Sequence, residues 1–328
     1  MATALQILHD SISFIFSHLL IINVLLSIVV VFFQRRNPKS VWAWLLILYF
    51  IPVLGFVFYL LIGADMHKRK MFRTKEIEDR LANAIRRQEL MIRSQELKQK
   101  YPGVTDYSDL VMYHLHTTSA MLTDDNNVEF FVNGEDKFAA LKEDMRNAKK
   151  SIHIQYYIIK NDELFRSIVE ILKDKVKEGV KVRILYDSMG CWKMRKKIWK
   201  QLEKEGIQCT EFFPALVGRL HLRINYRNHR KIVVIDDCIG YVGGFNIGKE
   251  YIDKDPKFGH WRDTHMRITG SSVTALEARF ILDWNFADRK RLLSYEDYMD
   301  NLKMEHTGRS PIQIITSGPD SHDEYIRN

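Results

Sequence analysis

The sequence predicts an α/β fold, a mixed-sheet sandwich with flanking helices, preceded by two transmembrane helices. Two long apolar stretches without a charged residue lie near the N-terminus, and a highly charged segment follows them. Beyond residue 104, short apolar runs of strand length alternate with amphipathic segments of helical period. Such alternation favours a sheet with helices on its faces. At 328 residues and 46% hydrophobic content, the chain can bury a sizeable core.

The two apolar stretches, 12–33 and 41–62, each have about the length of a helix that spans a bilayer. Residues 1–11 contain no Lys or Arg, and the first stretch is too long for the apolar core of a cleavable signal peptide. We therefore predict a retained membrane anchor over residues 1–66. The alternative is a hairpin buried inside a soluble core.

Basic residues flank the predicted spans unequally. Because cytoplasmic segments carry the excess of Lys and Arg, this bias predicts a cytoplasmic C-terminal body. The net charge of +8 favours an anionic partner, which is either nucleic acid or lipid head groups, and the anchor favours lipid. The basic residues are Arg35, Arg36 and Lys39 between the spans, and Lys68, Arg69, Lys70, Arg73 and Lys75 after the second.

The remaining chain divides into three predicted parts. Residues 67–103 form a charged linker helix, which ends at the Tyr101-Pro102-Gly103 turn signal. Residues 104–292 form a first catalytic half, and residues 293–328 begin a second half that we expect to be truncated. The predicted strands are 128–132, 152–159, 182–186, 209–213, 231–235, 239–242, 265–268 and 312–315; the predicted helices are 138–148, 164–177, 194–205 and 273–288.

Residues 229–246 contain the side chains that indicate chemistry. His229 and Lys231 are two residues apart, so in an extended strand they share one face and meet the same phosphate. Gly243 and Gly244 allow close backbone approach and bring the amide of Asn246 to the same place. An imidazole can attack phosphorus while a fixed cation and an amide stabilise the oxygens. The alternative is an ordinary, partly exposed strand histidine.

The motif has the form His-x-Lys-x4-Asp, from His229 to Asp236, and continues into a Gly-Gly-x-Asn tail. This extended pattern resembles the phospholipase D superfamily. Flanking segments resemble bacterial cardiolipin synthases in particular, and the likeness covers nearly the whole chain. Those segments are 226–228, 246–251 and 261–265 around the motif, and 35–38, 42–46 and the Pro52 to Gly55 step near the N-terminus.

The resemblance implies a role for each matching residue. His229 forms a covalent phosphatidyl-histidine, Lys231 and Asn246 bind the phosphoryl oxygens, and Asp236 completes the catalytic motif by supporting it. A nucleophilic histidine also needs an acceptor for its second ring nitrogen. Asp263 matches the carboxylate that serves this purpose in relatives, with Glu250 as the second choice; the alternative for Asp263 is a surface salt bridge with Arg262 or Arg267.

We expect neither a metal nor a cofactor. His221, His260 and His265 lack metal-ligand spacing, and relatives need no metal. Cys191, Cys209 and Cys238 also lack the C-x-x-C spacing of zinc or redox sites, so they are predicted to be free thiols.

The resemblance implies a cardiolipin synthase, a phosphatidyltransferase of the bacterial cell membrane with a multi-pass anchor. Its substrate would be phosphatidylglycerol, in a membrane that contains anionic lipids, and no nucleic acid is expected. The alternatives are a phospholipase D-type hydrolase or nuclease, and an inactive lipid-binding protein. Superfamily members join two motifs, and no second His-x-Lys occurs in this sequence. A homodimer would supply a second His229.

Overall fold

The computed structural model describes residues 6, 18, 21, 23–25, 27–28, 38–51, 88–92, 101–213 and 227–317. The described residues up to 51 belong to one compact unit, and those from 88 onward belong to another. The predicted linker helix lies mostly outside the described residues, although residues 88–92 are helical.

The N-terminal unit contains helix α1 (Pro38–Phe50), an apolar helix of 13 residues. The side-chain amide of Asn23 donates a hydrogen bond of 3.2 Å to the carbonyl oxygen of Leu48 on this helix. Most of the predicted span 12–33 and residues 52–62 of the predicted span 41–62 lie outside the described residues. Of the helices that the structure describes, none combines the length and the hydropathy that a membrane crossing requires.

The second unit is built on one eight-stranded sheet, and the predicted mixed α/β architecture is confirmed there. Its strands are β1 (Leu122–Phe131), β2 (Ser151–Tyr156), β3 (Lys181–Asp187), β4 (Gln208–Phe212), β5 (Ile232–Ile235), β6 (Ile239–Gly243), β7 (His265–Thr269) and β8 (Ser310–Gln313). Its helices are α2 (Pro102–Thr105), α3 (Ser108–Thr118), α4 (Gly134–Asn147), α5 (Glu163–Lys177), α6 (Lys196–Lys204) and α7 (Val273–Ala287). Single 3-10 turns cover Lys249–Ile252, Tyr295–Tyr298 and Asp300–Lys303.

The strands lie in the order β4-β3-β2-β5-β6-β7-β1-β8. The β2–β3 and β3–β4 pairs are parallel, and every other pair is antiparallel. The parallel strands are joined through α5 and α6, as parallel strands require a crossover. The antiparallel β5–β6 pair is joined by the predicted hairpin, in which Asp236 and Asp237 both have positive φ angles of 52° and 61°.

Both faces of the sheet are covered at its central strands, so β2 and β5 are buried throughout. All four residues of β5 are buried, and they alternate between two cores. Val233 and Ile235 pack with α4, α5 and α6, whereas Ile232 and Val234 pack against α7 residues such as Leu276. This alternation follows from the two-residue period of a strand.

Strand β1 begins six residues before the predicted start at residue 128. The segment Leu122 to Asn127 is polar and favours turns, so its local pattern does not predict a strand. It is extended because it pairs with β8, with Leu122 opposite Gln313 and Asn126 opposite Ser310. This long-range pairing supplies hydrogen-bond partners for its backbone, and side chains supply more: Gln88 accepts from the backbone N–H of Leu122 at 2.9 Å, and the hydroxyl of Tyr101 donates to the carbonyl oxygen of Asp124 at 3.1 Å.

Candidate active site

The sheet topology brings the predicted site residues to one edge. Because β5 and β7 are both antiparallel to β6, the start of β5, the end of β6 and the start of β7 lie at the same edge. His229 and Lys231 directly precede β5, Asn246 follows β6, and Asp263 precedes β7. The end of β2 joins them, since β2 is antiparallel to β5.

His229 and Lys231 are in direct contact. The Nζ atom of Lys231 lies 3.0 Å from Nδ1 and 3.3 Å from Nε2 of His229, and it donates a hydrogen bond of 2.8 Å to the carbonyl oxygen of His229. The exposed imidazole packs against the ring of Tyr157, with the ring centroids 4.6 Å apart. Both residues lie before strand β5, which begins at Ile232. The shared face of a strand therefore does not bring them together; the side chain of Lys231 folds back onto His229 instead.

The surroundings change the protonation of both groups. Lys231 is only 4% exposed; burial lowers its pKa to about 8, although the charge of Asp263 partly opposes this. Partial loss of hydration and the charge of Lys231 lower the pKa of His229, and Asp187 opposes them. A neutral imidazole beside an ammonium group at neutral pH combines a nucleophile with a cation for a phosphate oxygen.

Asn246 is buried and its amide is held on both sides. Its Oδ1 atom accepts from the backbone N–H of Ile158 at 3.1 Å, and its Nδ2 atom donates to the hydroxyl of Tyr251 at 2.8 Å. The amide nitrogen carries two hydrogens, so it has the capacity to donate to a phosphate as well. The predicted role of Asn246 in phosphate binding stays a prediction.

The two candidate orienting carboxylates have different partners. Asp263 accepts from the backbone N–H of Thr264 at 2.7 Å and lies against Gly244, where a Cβ atom would be 2.0 Å from its Oδ1. Glu250 is 3% exposed and forms an ion pair with Lys160. The contacts of the His229 ring nitrogens described above are with Lys231. The orienting role of Asp263 therefore stays a prediction.

Asp236 lies at the opposite end of β5 from His229. Its carboxylate accepts three backbone hydrogen bonds, from Lys149 and Lys150 at 2.7 Å each and from Ser151 at 2.9 Å. The length of β5 alone is about 13 Å, at roughly 3.3 Å per residue. The contacts of Asp236 therefore join the hairpin to the start of β2, at a distance from the imidazole.

The structure also places at this edge residues that the sequence analysis did not single out. Asp187 ends β3, is 1% exposed, and accepts from the backbone N–H groups of Asn228 at 3.0 Å and Met189 at 2.9 Å. Burial raises the pKa of Asp187. The sequence did contain a signal for Asp187, since it is a polar residue at the end of a buried strand. Ligands bind at such strand ends in α/β sheets.

Of the three histidines considered as metal ligands, His221 lies outside the described residues. His265 is fully buried, and His260 pairs with Asp253 at 2.6 Å. In the parts of the chain that the structure describes, the three cysteines are free, and no cluster of three or more His, Cys, Asp or Glu side chains is arranged to hold a metal ion.

An imidazole, a buried ammonium group in contact with it and a buried amide thus lie at the same edge of the sheet. Residues 141–259 match the family described as "Cardiolipin synthase, PLD-like domain", and residues 21–63 match "Phospholipase_D-nuclease N-terminal". The chain belongs to the phospholipase D superfamily.

Curated relatives match nearly the whole chain. It is 42% identical over 309 residues to cardiolipin synthase of Oceanobacillus iheyensis, covering 94% of this chain and 64% of the relative. It is 43% identical over 325 residues to the major cardiolipin synthase ClsA of Bacillus subtilis, covering 96% and 66%. The chain thus spans just under two thirds of the length of these relatives. Among solved structures, NucT from Helicobacter pylori is similar at a TM-score of 0.40 and 18% identity, covering 49% of this chain and 98% of that one.

Proposed function

We propose that this chain transfers phosphatidyl groups in cardiolipin synthesis, with His229 as the nucleophile. The observation that carries the proposal is the contact of Lys231 Nζ with both ring nitrogens of His229, at 3.0 and 3.3 Å. The names of the curated relatives support cardiolipin as the product, and phosphatidylglycerol is the substrate that we propose for it.

The proposed reaction has two displacements at phosphorus. In the first, a ring nitrogen of His229 forms a P–N bond with phosphatidylglycerol, the P–O bond to glycerol breaks, and glycerol leaves after its oxygen gains a proton. In the second, the hydroxyl oxygen of another phosphatidylglycerol forms a P–O bond, the P–N bond breaks, and the hydroxyl gives up its proton. Two phosphatidylglycerols become cardiolipin and glycerol, and the protons balance.

The other predicted residues assist these displacements in the proposal. Lys231 and Asn246 stabilise the negative charge on the phosphoryl oxygens. Asp263, whose charge acts on Lys231, orients the reacting pair. Asp236 supports the motif from the far end of β5 through its three backbone hydrogen bonds.

We also propose that residues 12–33 and 41–62 anchor the protein in the bacterial cell membrane, with the catalytic unit on the cytoplasmic side. Both stretches are apolar and uncharged, and the basic residues that follow the second favour this orientation. The anchor would keep the catalytic unit at the surface of a membrane that contains its lipid substrate.

Covalent capture tests the proposal. The 1–328 protein in detergent micelles is mixed with phosphatidylglycerol labelled at phosphorus and is then quenched, and protein-bound label is measured. The expected result is a phosphoramidate adduct that is stable to base and labile to acid. It is absent from His229→Ala and retained by the matched variant His260→Ala, whose histidine is exposed and lies on a loop near the same edge. A wild-type protein that acquires no label refutes the proposed function.

The released products identify the acceptor. Cardiolipin supports transfer to a second lipid, whereas phosphatidic acid indicates water as the acceptor and a hydrolase instead. Cleavage of single-stranded DNA that depends on His229 would indicate a nuclease.

A further inference from the structure

A fully buried carboxylate on α7 contacts both neighbours of the proposed nucleophile. Asp283 is 0% exposed, and its Oδ2 atom accepts from Asn228 Nδ2 at 2.9 Å and from Arg230 Nη1 at 3.1 Å. The same oxygen accepts from Gln155 Nε2 on β2 at 2.6 Å. Asp283 therefore links the helix, the strand and the segment that contains His229.

The backbone around His229 is held by further contacts of the same residues. The backbone N–H of Asn228 donates to Asp187 at 3.0 Å, and its side-chain oxygen accepts from the backbone N–H of Arg230 at 3.2 Å. Two buried carboxylates thus hold the residue before His229, and one of them also holds the residue after it. Asp283 itself makes no hydrogen bond to His229 among those that the described residues form.

Asp283 is a strong acceptor because it stays ionised. Although burial acts to raise its pKa, Arg279 and Arg230 hold the pKa of Asp283 below its ordinary value. Arg279 Nε donates to the Oδ1 atom at 3.1 Å, so both oxygens have charged donors. Charge-assisted hydrogen bonds in a buried site are stronger than neutral ones, and they restrict movement of the groups they join.

We propose that Asp283 is a positioning residue, which fixes the imidazole of His229 for in-line attack by holding Asn228 and Arg230. The inference rests on the proposed role of His229 as nucleophile. Rates of displacement depend steeply on the position of the attacking atom, and a shift of about 1 Å can cost about 10²-fold. Loss of the Asp283 charge should therefore slow the chemical step and leave substrate binding nearly unchanged.

The test compares Asp283→Asn with Glu277→Gln. Glu277 lies on the same helix, is equally buried, and contacts His153 at 2.6 Å rather than the segment around His229. Each 1–328 variant is assayed for the rate of covalent capture from labelled phosphatidylglycerol and for the Kd of soluble dihexanoyl phosphatidylglycerol. Capture by Asp283→Asn should slow about 10- to 100-fold, with a Kd change under about threefold. Glu277→Gln should stay within about threefold on both measurements.

A lipid-independent probe separates this inference from the proposed function. Phosphoramidate phosphorylates histidine when a ring nitrogen attacks phosphorus, the P–N bond of the reagent breaks, ammonia leaves and the imidazole proton passes to solvent. Slower labelling of His229 in Asp283→Asn supports positioning even if phosphatidylglycerol gives no adduct with the wild-type protein. Equal rates of His229 labelling in the wild-type and Asp283→Asn proteins overturn the positioning role of Asp283.

A second variant covers the case in which Asp283→Asn fails to fold, as shown by loss of a cooperative melting transition. Asn228→Ala removes the hydrogen bond to Asp283 and the one from the backbone N–H of Arg230, and it keeps the ion pairs of Asp283 with Arg230 and Arg279. A folded Asn228→Ala protein should label at least about fivefold more slowly with phosphoramidate. Labelling at the wild-type rate overturns the inference, and so does a folded Asp283→Asn protein whose only defect is a raised Kd.

Discussion

The lowered pKa of Lys231 leads to a specific pH dependence for covalent capture. With a pKa of about 8, roughly nine tenths of Lys231 is protonated at pH 7 and roughly one tenth at pH 9. If the ammonium group stabilises charge on the phosphoryl oxygens, the capture rate at subsaturating lipid should fall about tenfold between these pH values. At acidic pH the rate should fall again as His229 becomes protonated, below the ordinary histidine value because the pKa of His229 is lowered.

The assay is the initial rate of label incorporation from phosphatidylglycerol between pH 5 and pH 10. Lys231→Arg should abolish the decline near pH 8, because a guanidinium stays protonated throughout this range. Lys231→Ala should also abolish it and should lower the plateau about 10²- to 10³-fold, as loss of one oxyanion-stabilising donor commonly does. Lys254→Ala is the matched control, since this exposed lysine pairs with Glu163 on the surface. A wild-type rate that stays constant from pH 7 to pH 10 would refute the assigned role of Lys231.

Three further predictions concern the structure around the site and the anchor. Gly243→Ala should lower the Tm, with a loss of about 1–3 kcal/mol in the free energy of unfolding, because a Cβ atom would lie 2.4 Å from the Cα of His265; Gly103→Ala, with open space around its Cβ, should change the Tm little. Asp236→Ala should cost about 1–3 kcal/mol on thermal unfolding, because three backbone N–H groups lose their acceptor; an unchanged Tm would contradict this. Deletion of residues 1–63 should release the protein from membranes after a high-salt wash, since the remaining basic residues contribute only about 1 kcal/mol each at an anionic surface; persistent sedimentation with membranes would argue against the anchor.

Much of the fold was predictable because its elements have clear local patterns. The short apolar runs of β5 and β6 on either side of Asp236-Asp237-Cys238 predicted a hairpin, and the structure has one. The amphipathic segment 164–177 predicted a helix, and α5 covers Glu163–Lys177. The first half of β1 could not be predicted, because its residues are polar and it pairs with β8, nearly 190 residues away, a contact that has no local signal.

The candidate site was predictable in part. His229 and Lys231 are two residues apart, so the motif itself indicates their proximity, and the structure has them in contact. By contrast, Asp283 lies 53 residues from Arg230, and its contact with that residue has no local signal. A buried aspartate on a helix predicts a partner of some kind, but the sequence does not say which one.

The sequence by itself determined the succession of strands and helices along the sheet from β2 to α7, the His-x-Lys motif that marks the candidate site, and the membership of the superfamily, because these depend on residue patterns within short segments. The tertiary structure alone decided which carboxylates hold the segment around His229, how far burial lowers the pKa of Lys231, and that Asp236 lies at the far end of β5. Those properties depend on distances and loss of hydration among residues far apart in the chain. They therefore exist only once the sheet has brought its strand ends together.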